Sequence, residues 1–365
     1  MKAIAVIVIA HLIAVTVSAA ESKTSRFDKI SIIGEEPRNG YFDLSIEYGD
    51  DGSGWLAYSR VGIPKYVETH LARSIDHGKT WVYAGALNQS ANGSIFVDGN
   101  RRQGVWRYET PTLVFDPSDA QARRWKFFVQ RYLSVPPHKK DNSLFDKGGI
   151  EYKYAANPAG PWSNAVCMFG KVEHGCRVDL NSLDAELENM VFYNELGSIV
   201  VDGVIFLSMD ASATASGLGN WQLRKIVLVS SRDHGATWDY VGTLTDYGDA
   251  DALGYLVLTG SSLVEEAGRL FALLTPSGAK GLFNRNRAHD GTLVVEFDDI
   301  HRAKLKRDEK GRLAVLRAVK PDLHSGGLSD HDEQNSYGGL LFSQINTHAM
   351  PEFFQIFNTK LNLAR

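Results

Sequence analysis

The chain has few cysteines, and this scarcity narrows the kinds of site it can hold. Only Cys167 and Cys176 occur in 365 residues, too few for a four-thiolate zinc or iron–sulfur site. Because the two lie close together, they would close a short loop as a disulfide in an oxidising compartment. Two free thiols are the alternative.

A basic excess is also missing. Lys and Arg number 39 against 43 Asp and Glu, which gives a net charge of −4. Binding to nucleic acid or to an acidic membrane surface normally needs a basic face, so we expect neither as a partner. The motifs G-x-S-x-G, H-E-x-x-H and the phosphate-binding P-loop do not occur, which removes the commonest serine-hydrolase, zinc-protease and nucleotide-binding signatures.

A long apolar run is absent except at the N-terminus, where residues 3–17 are almost entirely apolar. This run follows Lys2, is too short for a comfortable membrane span and ends in small residues that suit cleavage. We therefore predict a cleaved signal peptide at residues 1–20. A single domain at residues 21–365 would then be secreted or periplasmic, without membrane attachment after cleavage. An uncleaved anchor is the alternative.

What the chain does contain is a repeat. Residues 193–210 read as a β-hairpin with an Asp202-Gly203 turn, and Glu195 precedes the turn by seven residues. The same pattern recurs twice earlier in the chain, where Asp43 stands seven residues before Asp50 and Glu109 stands seven residues before Asp116. Weaker copies at 260–268 and 337–343 lack the acid.

Five copies predict an all-β, five-bladed β-propeller of four-stranded blades. A six-bladed, sialidase-like ring is the alternative. The blades would cover residues 40–90, 105–170, 190–245, 258–320 and 335–365. One strand over residues 27–33 would complete the last blade.

Two further segments share the pattern S-x-D-x-G-x-T-W, at residues 74–81 and 231–238. The Asp side chain can accept bonds from nearby backbone N–H groups, Gly permits positive φ, and Trp packs beneath the turn. We expect these turns to be structural.

These two motifs resemble the Asp boxes (BNR repeats) of sialidases. The hairpin repeat, the A-x-x-P-x-G-P-W segment at 155–162 and the three acids resemble the five-bladed furanosidase-type glycoside hydrolases of families 43 and 32. The resemblance implies a glycosidase in which Asp43 is the base, Glu109 tunes the acid and Glu195 is the general acid. It also favours inversion of configuration. Glu109 departs from the family 43 pattern, which has Asp there. The invertase motifs N-D-P-N-G, R-D-P and E-C and the sialidase motif F-R-I-P are absent.

The residues themselves support similar chemistry. Asp43, Glu109 and Glu195 share a register, so they should converge at one mouth of the channel. Crowding and partial burial raise the pKa of at least one carboxyl, and glycosidic cleavage needs one protonated and one ionised carboxyl. Alternatively, these acids pair with Arg60 and Arg131 or cap strand ends.

Sugar sites also need flat apolar surfaces and planar hydrogen-bonding groups. The candidate substrate-binding residues are Arg60, Trp106, Arg107, Tyr108, Arg131, Asp210, His331 and Tyr337. We expect the loop 324–337 to enter the fifth innermost strand from the same end of the channel as the three acids. Its His and acidic residues could hold a channel Ca²⁺, but their spacing matches no standard metal site, so we expect neither a metal nor a cofactor.

Three functions remain open. The favoured one is an exported glycoside hydrolase acting on poly- or oligosaccharides. A non-catalytic glycan-binding propeller would instead neutralise the acids with Arg or Lys. A sialidase would bring three arginines to one carboxylate-binding site.

Overall fold

A computed structural model describes residues 24–139, 142–215, 220–278 and 289–364. The predicted signal peptide lies outside the described residues. Within them the chain forms five sheets of four or five strands. The innermost strands contact one another in cyclic order and so line a central channel. They are Tyr41–Tyr48, Asn100–Phe115, Phe192–Val201, Val257–Glu266 and Ser325–Asp330. The predicted all-β propeller fold is confirmed.

The outer strands follow each innermost strand in antiparallel order. The first sheet adds Gly54–Gly62, Tyr66–Ser74 and Trp81–Asn88, with Ile32–Ile33 parallel at its edge. The second adds Ala91–Val97 on one side and Trp125–Ser134, Ser143–Ala155 and Val166–Phe169 on the other. The third adds Val204–Ser212, Lys225–Ser231 and Asp239–Thr245.

The fourth sheet adds Arg269–Ser277, Thr292–Asp299, Lys304–Leu305 and Val315–Val319, and the fifth adds Leu341–Ile345, Phe354–Asn358 and Asp28–Lys29. The described helices are short. They are Gln121–Arg123, Val172–His174, Leu180–Ser182, Ala185–Leu187, Trp221–Leu223, Tyr247–Ala252 and Ile300–Arg302. None of these helices has the length and apolar character needed to cross a membrane.

Several local predictions are confirmed. Val201 pairs with Val204 across the Asp202-Gly203 turn, where both turn residues have positive φ. Asp28–Lys29 pairs with Phe354–Asn358 and completes the last sheet as predicted, but the single strand predicted over residues 27–33 is wrong, because Ile32–Ile33 pairs with the first sheet instead. Cys167 and Cys176 form a disulfide. The prediction of four strands in every blade is wrong, because the first, second and fourth sheets have five.

The prediction for the fifth innermost strand is also wrong. Residues 337–343 do not line the channel; Ser325–Asp330 does, and Leu341–Ile345 is the second strand of that sheet. The misleading feature is Gly326-Gly327, which suggests a loop. A Cβ at Gly326 would lie 2.7 Å from the Ser343 carbonyl oxygen, so the strand needs glycine to pack this closely.

Acidic side chains link the fifth sheet to the first. Asp330 accepts a hydrogen bond of 2.9 Å from the Ile46 N–H, and Asp332 accepts one of 3.0 Å from the Tyr48 N–H. These N–H groups lie on the edge of the first innermost strand, which has no neighbouring strand to bond them. The two carboxyls therefore satisfy buried backbone donors where the ring closes.

A buried ionic network ties the segment before Tyr41 to the first sheet. Glu35 accepts hydrogen bonds from Tyr58 and from the His70 ring, and it pairs with Arg60 Nε at 3.2 Å. Burial alone would lower the pKa of His70, but its hydrogen bonds to Glu35 and Glu68 outweigh burial and raise that pKa.

The network makes a prediction about stability and pH. The pKa of His70 is raised in the folded state, so its contribution is fully present below about pH 6.5, the unfolded value. That contribution should disappear as the pH rises through the folded pKa. Denaturant unfolding at a series of pH values should show this loss in the wild type but not in His70→Gln. Equal slopes for the two proteins would contradict it.

Candidate active site

Each innermost strand carries a β-bulge at the same level of the channel. One residue at each bulge has positive φ, namely Asp43 (49°), Thr110 (54°), Glu195 (50°), Gly260 (41°) and Leu328 (51°). Glycine alone adopts this conformation without cost. Strained residues at equivalent positions around one channel indicate a functional centre, since bulges redirect side chains toward such sites.

The bulge residues line one small cavity that includes both Asp43 and Glu195. Glu195 Oε2 is buried and has no hydrogen-bond partner among the described residues. A buried carboxylate oxygen without a partner is costly. The cavity therefore presents an acceptor that a bound hydroxyl group or a water molecule could satisfy.

Asp43 has the most perturbed ionisation in this cavity. Burial raises its pKa well above the usual range, and the charges of Glu109 and Glu195 raise it further, while hydrogen bonds from Ser59 and the Thr110 N–H oppose them. The structure thus brings the three sequence-predicted acids together, and one of them retains its proton to higher pH.

Glu109 differs from the other two acids in register. The shared register predicted for it is wrong, because Thr110 occupies the bulge and Glu109 lies one residue earlier. Glu109 instead interacts with the fully buried Tyr132, and Arg107 contacts the same phenol. Burial and the Glu109 charge raise the pKa of Tyr132 well above its usual range, so the phenol stays protonated and can donate to Glu109.

Arg224 lies beside Glu195, and its role was not predicted from the sequence. It directly precedes the third strand of the third sheet, is 9% exposed and contacts both carboxylate oxygens of Asp210. Asp210 is a candidate from the sequence and is completely buried. The charge of Glu195 acts on Arg224. Asp210 therefore binds Arg224 and does not itself contact Glu195 in the contacts described above. No sequence motif marks Arg224.

A row of three buried aromatic side chains, here called the aromatic wall, was also not predicted from the sequence. Tyr132, Phe145 and Phe192 form a buried cluster beside Glu109, with ring centroids 4.4 and 5.4 Å apart along the row. Arg107 is fixed nearby by the backbone carbonyls of Pro64 and Lys65. Buried aromatic rings therefore lie beside Glu109, one of the three acids.

The structure places other candidates away from this cavity. Arg131 stacks on Trp106 at 3.7 Å, pairs with Glu151 at 3.2 Å and bonds to Tyr108. Trp106 and Arg131 line a separate cavity of about 300 Å³ beside the disulfide. Arg60 belongs to the Glu35 network.

His331 and Tyr337 lie at the other end of the channel. The loop 324–337 does not enter the fifth innermost strand from the Asp43 side as predicted; most of it leaves that strand after Asp330. Tyr337 donates its N–H to His77 in the turn 74–81, far along the first sheet from Asp43. The error follows directly from the misplaced strand.

The two S-x-D-x-G-x-T-W segments form matching hydrogen-bonded turns. Asp76 accepts bonds from the Thr80 N–H and hydroxyl at 2.9 and 2.7 Å, and Asp233 accepts the same pair from Thr237 at 2.8 and 2.6 Å. Trp81 and Trp238 are buried below them. These contacts match the structural role expected from the sequence.

A potential metal-ligand cluster near the second turn is already neutralised. Asp116, Asp119 and His234 place ligand atoms close together. Lys126, which is completely buried, reaches Asp116 at 3.0 Å and Asp119 at 2.9 Å. The ammonium thus stands where a cation would bind, and the cluster links the second and third sheets through His234.

Gly260 gives a direct test of how tightly the cavity is built. A Cβ at this position would lie 2.2 Å from Leu328 Cδ2 and 3.2 Å from Glu195 Oε2. We expect Gly260→Ala to lower the free energy of unfolding by about 1–3 kcal/mol and to displace Glu195. Denaturant unfolding measures the loss. Gly268→Ala is the control, because Gly268 also has positive φ but its added Cβ would meet nothing within 4 Å. The difference between the two variants therefore separates the steric clash in the cavity from backbone strain. Equal losses for the two variants would show that the cavity is not tightly packed at Gly260.

No protein-family model and no curated protein matches the chain. Solved structures do resemble it. A family 117 glycoside hydrolase from the marine bacterium Zobellia galactanivorans is 13% identical, with 92% of this chain and 90% of that chain covered and a TM-score of 0.52. A thermostable family-43 glycoside hydrolase is 9% identical, with 91% of each chain covered and a TM-score of 0.51. The GH32 beta-fructofuranosidase of Bombyx mori is 10% identical, with 92% of this chain and 62% of that chain covered and a TM-score of 0.53. At these identities the similarity establishes the fold, which this chain shares with glycoside hydrolases of three families.

Proposed function

We propose that the protein is an exported glycoside hydrolase that cleaves poly- or oligosaccharides at the cluster of Asp43, Glu109 and Glu195. One observation carries the proposal. Asp43 and Glu195 line one cavity, and burial together with the charges of Glu109 and Glu195 raises the pKa of Asp43. A protonated carboxyl beside an ionised one is the arrangement that protonates a glycosidic oxygen while activating water.

The fold similarity supports the same reaction class. Families 117, 43 and 32 are each represented by a structure of comparable fold. Fold alone does not fix function, but here Asp43 and Glu195 occupy channel-lining bulges. The proposed reaction uses side chains and water and calls for no cofactor.

The glycan-binding alternative predicts acids neutralised by Arg or Lys. Asp43 does not meet this expectation, because its strongest charged influences among the described groups are two carboxyls. Desolvating three acids together without a cation on each is costly for a binding surface. The arrangement is better suited to proton transfer.

A polysaccharide panel tests the proposal. Purified mature protein should release reducing ends from at least one neutral or acidic polysaccharide, and Asp43→Asn should lose that activity while keeping its affinity in gel retardation. If a polysaccharide retards the wild-type protein in the gel but the protein releases no reducing ends, the glycan-binding module would be favoured.

Export is tested separately. N-terminal sequencing of the protein recovered outside the cytoplasm should begin after Ala19 or Ala20. Recovery of a chain that retains residues 1–20 would support the uncleaved anchor.

A further inference from the structure

We infer that the cavity lined by Trp106 and Arg131 is a second carbohydrate-binding site, here called the distal subsite, which holds an uncharged sugar residue of the polysaccharide that is cleaved at the acids. The inference rests on the proposed function and deepens it, because it assigns an extended, neutral polysaccharide as the substrate class. Binding can be measured without turnover, so the two proposals can fail separately.

The second innermost strand extends beyond the mouth of the channel and carries the distal subsite with it. Asn100–Phe115 begins ten residues before its bulge residue Thr110, whereas the first innermost strand begins two residues before Asp43. The extra length pairs with Ala91–Val97 as a hairpin. Trp106 lies four residues before Thr110, which is about 13 Å along a strand. A polysaccharide bound at the acids could therefore reach the distal subsite along this strand.

An exposed aromatic ring and a stacked pair of planar side chains shape the distal subsite. Phe96 lines it and is 75% exposed, so its ring offers an apolar face on which a sugar ring can pack. The Arg131 guanidinium lies 3.7 Å from the centroid of the Trp106 indole, which holds it in place. The volume of about 300 Å³ is at the lower end of the range for ligand sites, so we assign a single sugar residue to it.

The charged side chains of the distal subsite are already paired. Arg131 Nη1 lies 3.2 Å from Glu151 Oε1, and Lys147 Nζ lies 3.0 Å from Asp146 Oδ2. An anionic sugar would have to compete with these two carboxylates. The hydroxyl groups of a neutral sugar can instead donate to a carboxylate and accept from a cation of the same pair. His174, which is exposed, adds one more hydrogen-bonding group.

The disulfide fixes one wall of the distal subsite. Cys167 and Cys176 line the cavity, and the loop that they close carries His174. A Cβ at Gly149 would lie 2.6 Å from Cys167 Sγ and 3.2 Å from Cys176 Sγ. Glycine at this position therefore lets the disulfide pack against Ser143–Ala155, and the loop is held beside the second sheet.

Affinity electrophoresis tests the inference with neutral polysaccharides. The protein would carry Asp43→Asn, which should bind without cleaving, and native gels would contain arabinan, glucomannan, xyloglucan or laminarin, with polygalacturonate as the charged comparison. At least one neutral polymer should retard the protein. Adding Phe96→Ala should raise the dissociation constant by roughly 5–30-fold, as expected when an aromatic anchor is truncated.

Ile75→Ala is the matched control for Phe96→Ala. Ile75 is equally exposed, at 75%, but lies in the turn 74–81, far along the first sheet from Asp43. This substitution should leave the retardation unchanged. Calorimetric titration with the polymer that binds should also give the same affinity at low and high salt, because salt screens only contacts between charges.

The possible outcomes separate the two proposals. The inference would be overturned by retardation in polygalacturonate alone, by no retardation in any neutral polymer, by an affinity that disappears at high salt, or by equal retardation of Phe96→Ala and Ile75→Ala. If retardation depends on Phe96 but the wild type releases no reducing ends, the distal subsite is supported and the proposed hydrolase activity is not.

Discussion

Replacement of Asp43 by Asn is expected to lower kcat/KM by roughly 10²–10⁴-fold on glycosides with poor leaving groups. Burial and the charges of Glu109 and Glu195 raise the pKa of Asp43, so the proposed site has its proton donor there, and the variant can no longer protonate the departing oxygen. Aryl glycosides with acidic phenols need little protonation, so they should lose much less. Rates measured on a series of aryl glycosides of increasing phenol pKa would show a steeper dependence in the variant than in the wild type.

Glu195→Gln provides the matched comparison. It should slow every member of the same series by a similar factor, because the attack of water is impaired whatever the leaving group. The roles implied by the family 43 resemblance predict the opposite, with the steeper dependence in Glu195→Gln. The two series therefore decide which acid donates the proton.

Replacement of Lys126 by Met is expected to cost about 3–5 kcal/mol of unfolding free energy. The ammonium lies between Asp116 and Asp119, and all three side chains are largely buried. Its removal takes the buried cation from both carboxylates, leaving Asp116 with the His234 ring at 2.8 Å and Asp119 with Arg123 at 3.6 Å. Denaturant unfolding followed by tryptophan fluorescence measures the loss.

Two variants show that the effect comes from buried charge. Lys171 pairs with Asp179 at 3.0 Å but is more exposed, so Lys171→Met should cost no more than about 1 kcal/mol. Adding Asp116→Asn and Asp119→Asn to Lys126→Met should recover part of the lost stability. A small loss for Lys126→Met, equal to that of Lys171→Met, would contradict this account.

The features predictable from the sequence were those with local causes. The Asp202-Gly203 hairpin and the two S-x-D-x-G-x-T-W turns depend on residues a few positions apart, so their geometry could be derived from residue chemistry. The repeated acids at positions 43, 109 and 195 then located the candidate site, because repeated hairpins bring their innermost strands to one channel.

The missed features depend on contacts between distant segments. Ser325–Asp330 lacks an apolar pattern and is a strand because its glycines fit against neighbouring backbone. The bulge that places Thr110, rather than Glu109, at the equivalent position has no marker in the sequence. Arg224 precedes an outer strand of the third sheet. The aromatic wall combines Tyr132 and Phe145 from outer strands of the second sheet with Phe192 at the start of the third innermost strand, and only the folded ring brings these rings together.

The most direct test of the central claim is the fate of solvent oxygen during turnover. Wild-type protein and Asp43→Asn would be incubated with a substrate found by the panel in H₂¹⁸O, and early products would be analysed by mass spectrometry. Hydrolysis at the carboxyl cluster predicts ¹⁸O in the newly formed reducing sugar, none in the released alcohol, and little product from the variant. Products without ¹⁸O, or equal product from both proteins, would contradict it.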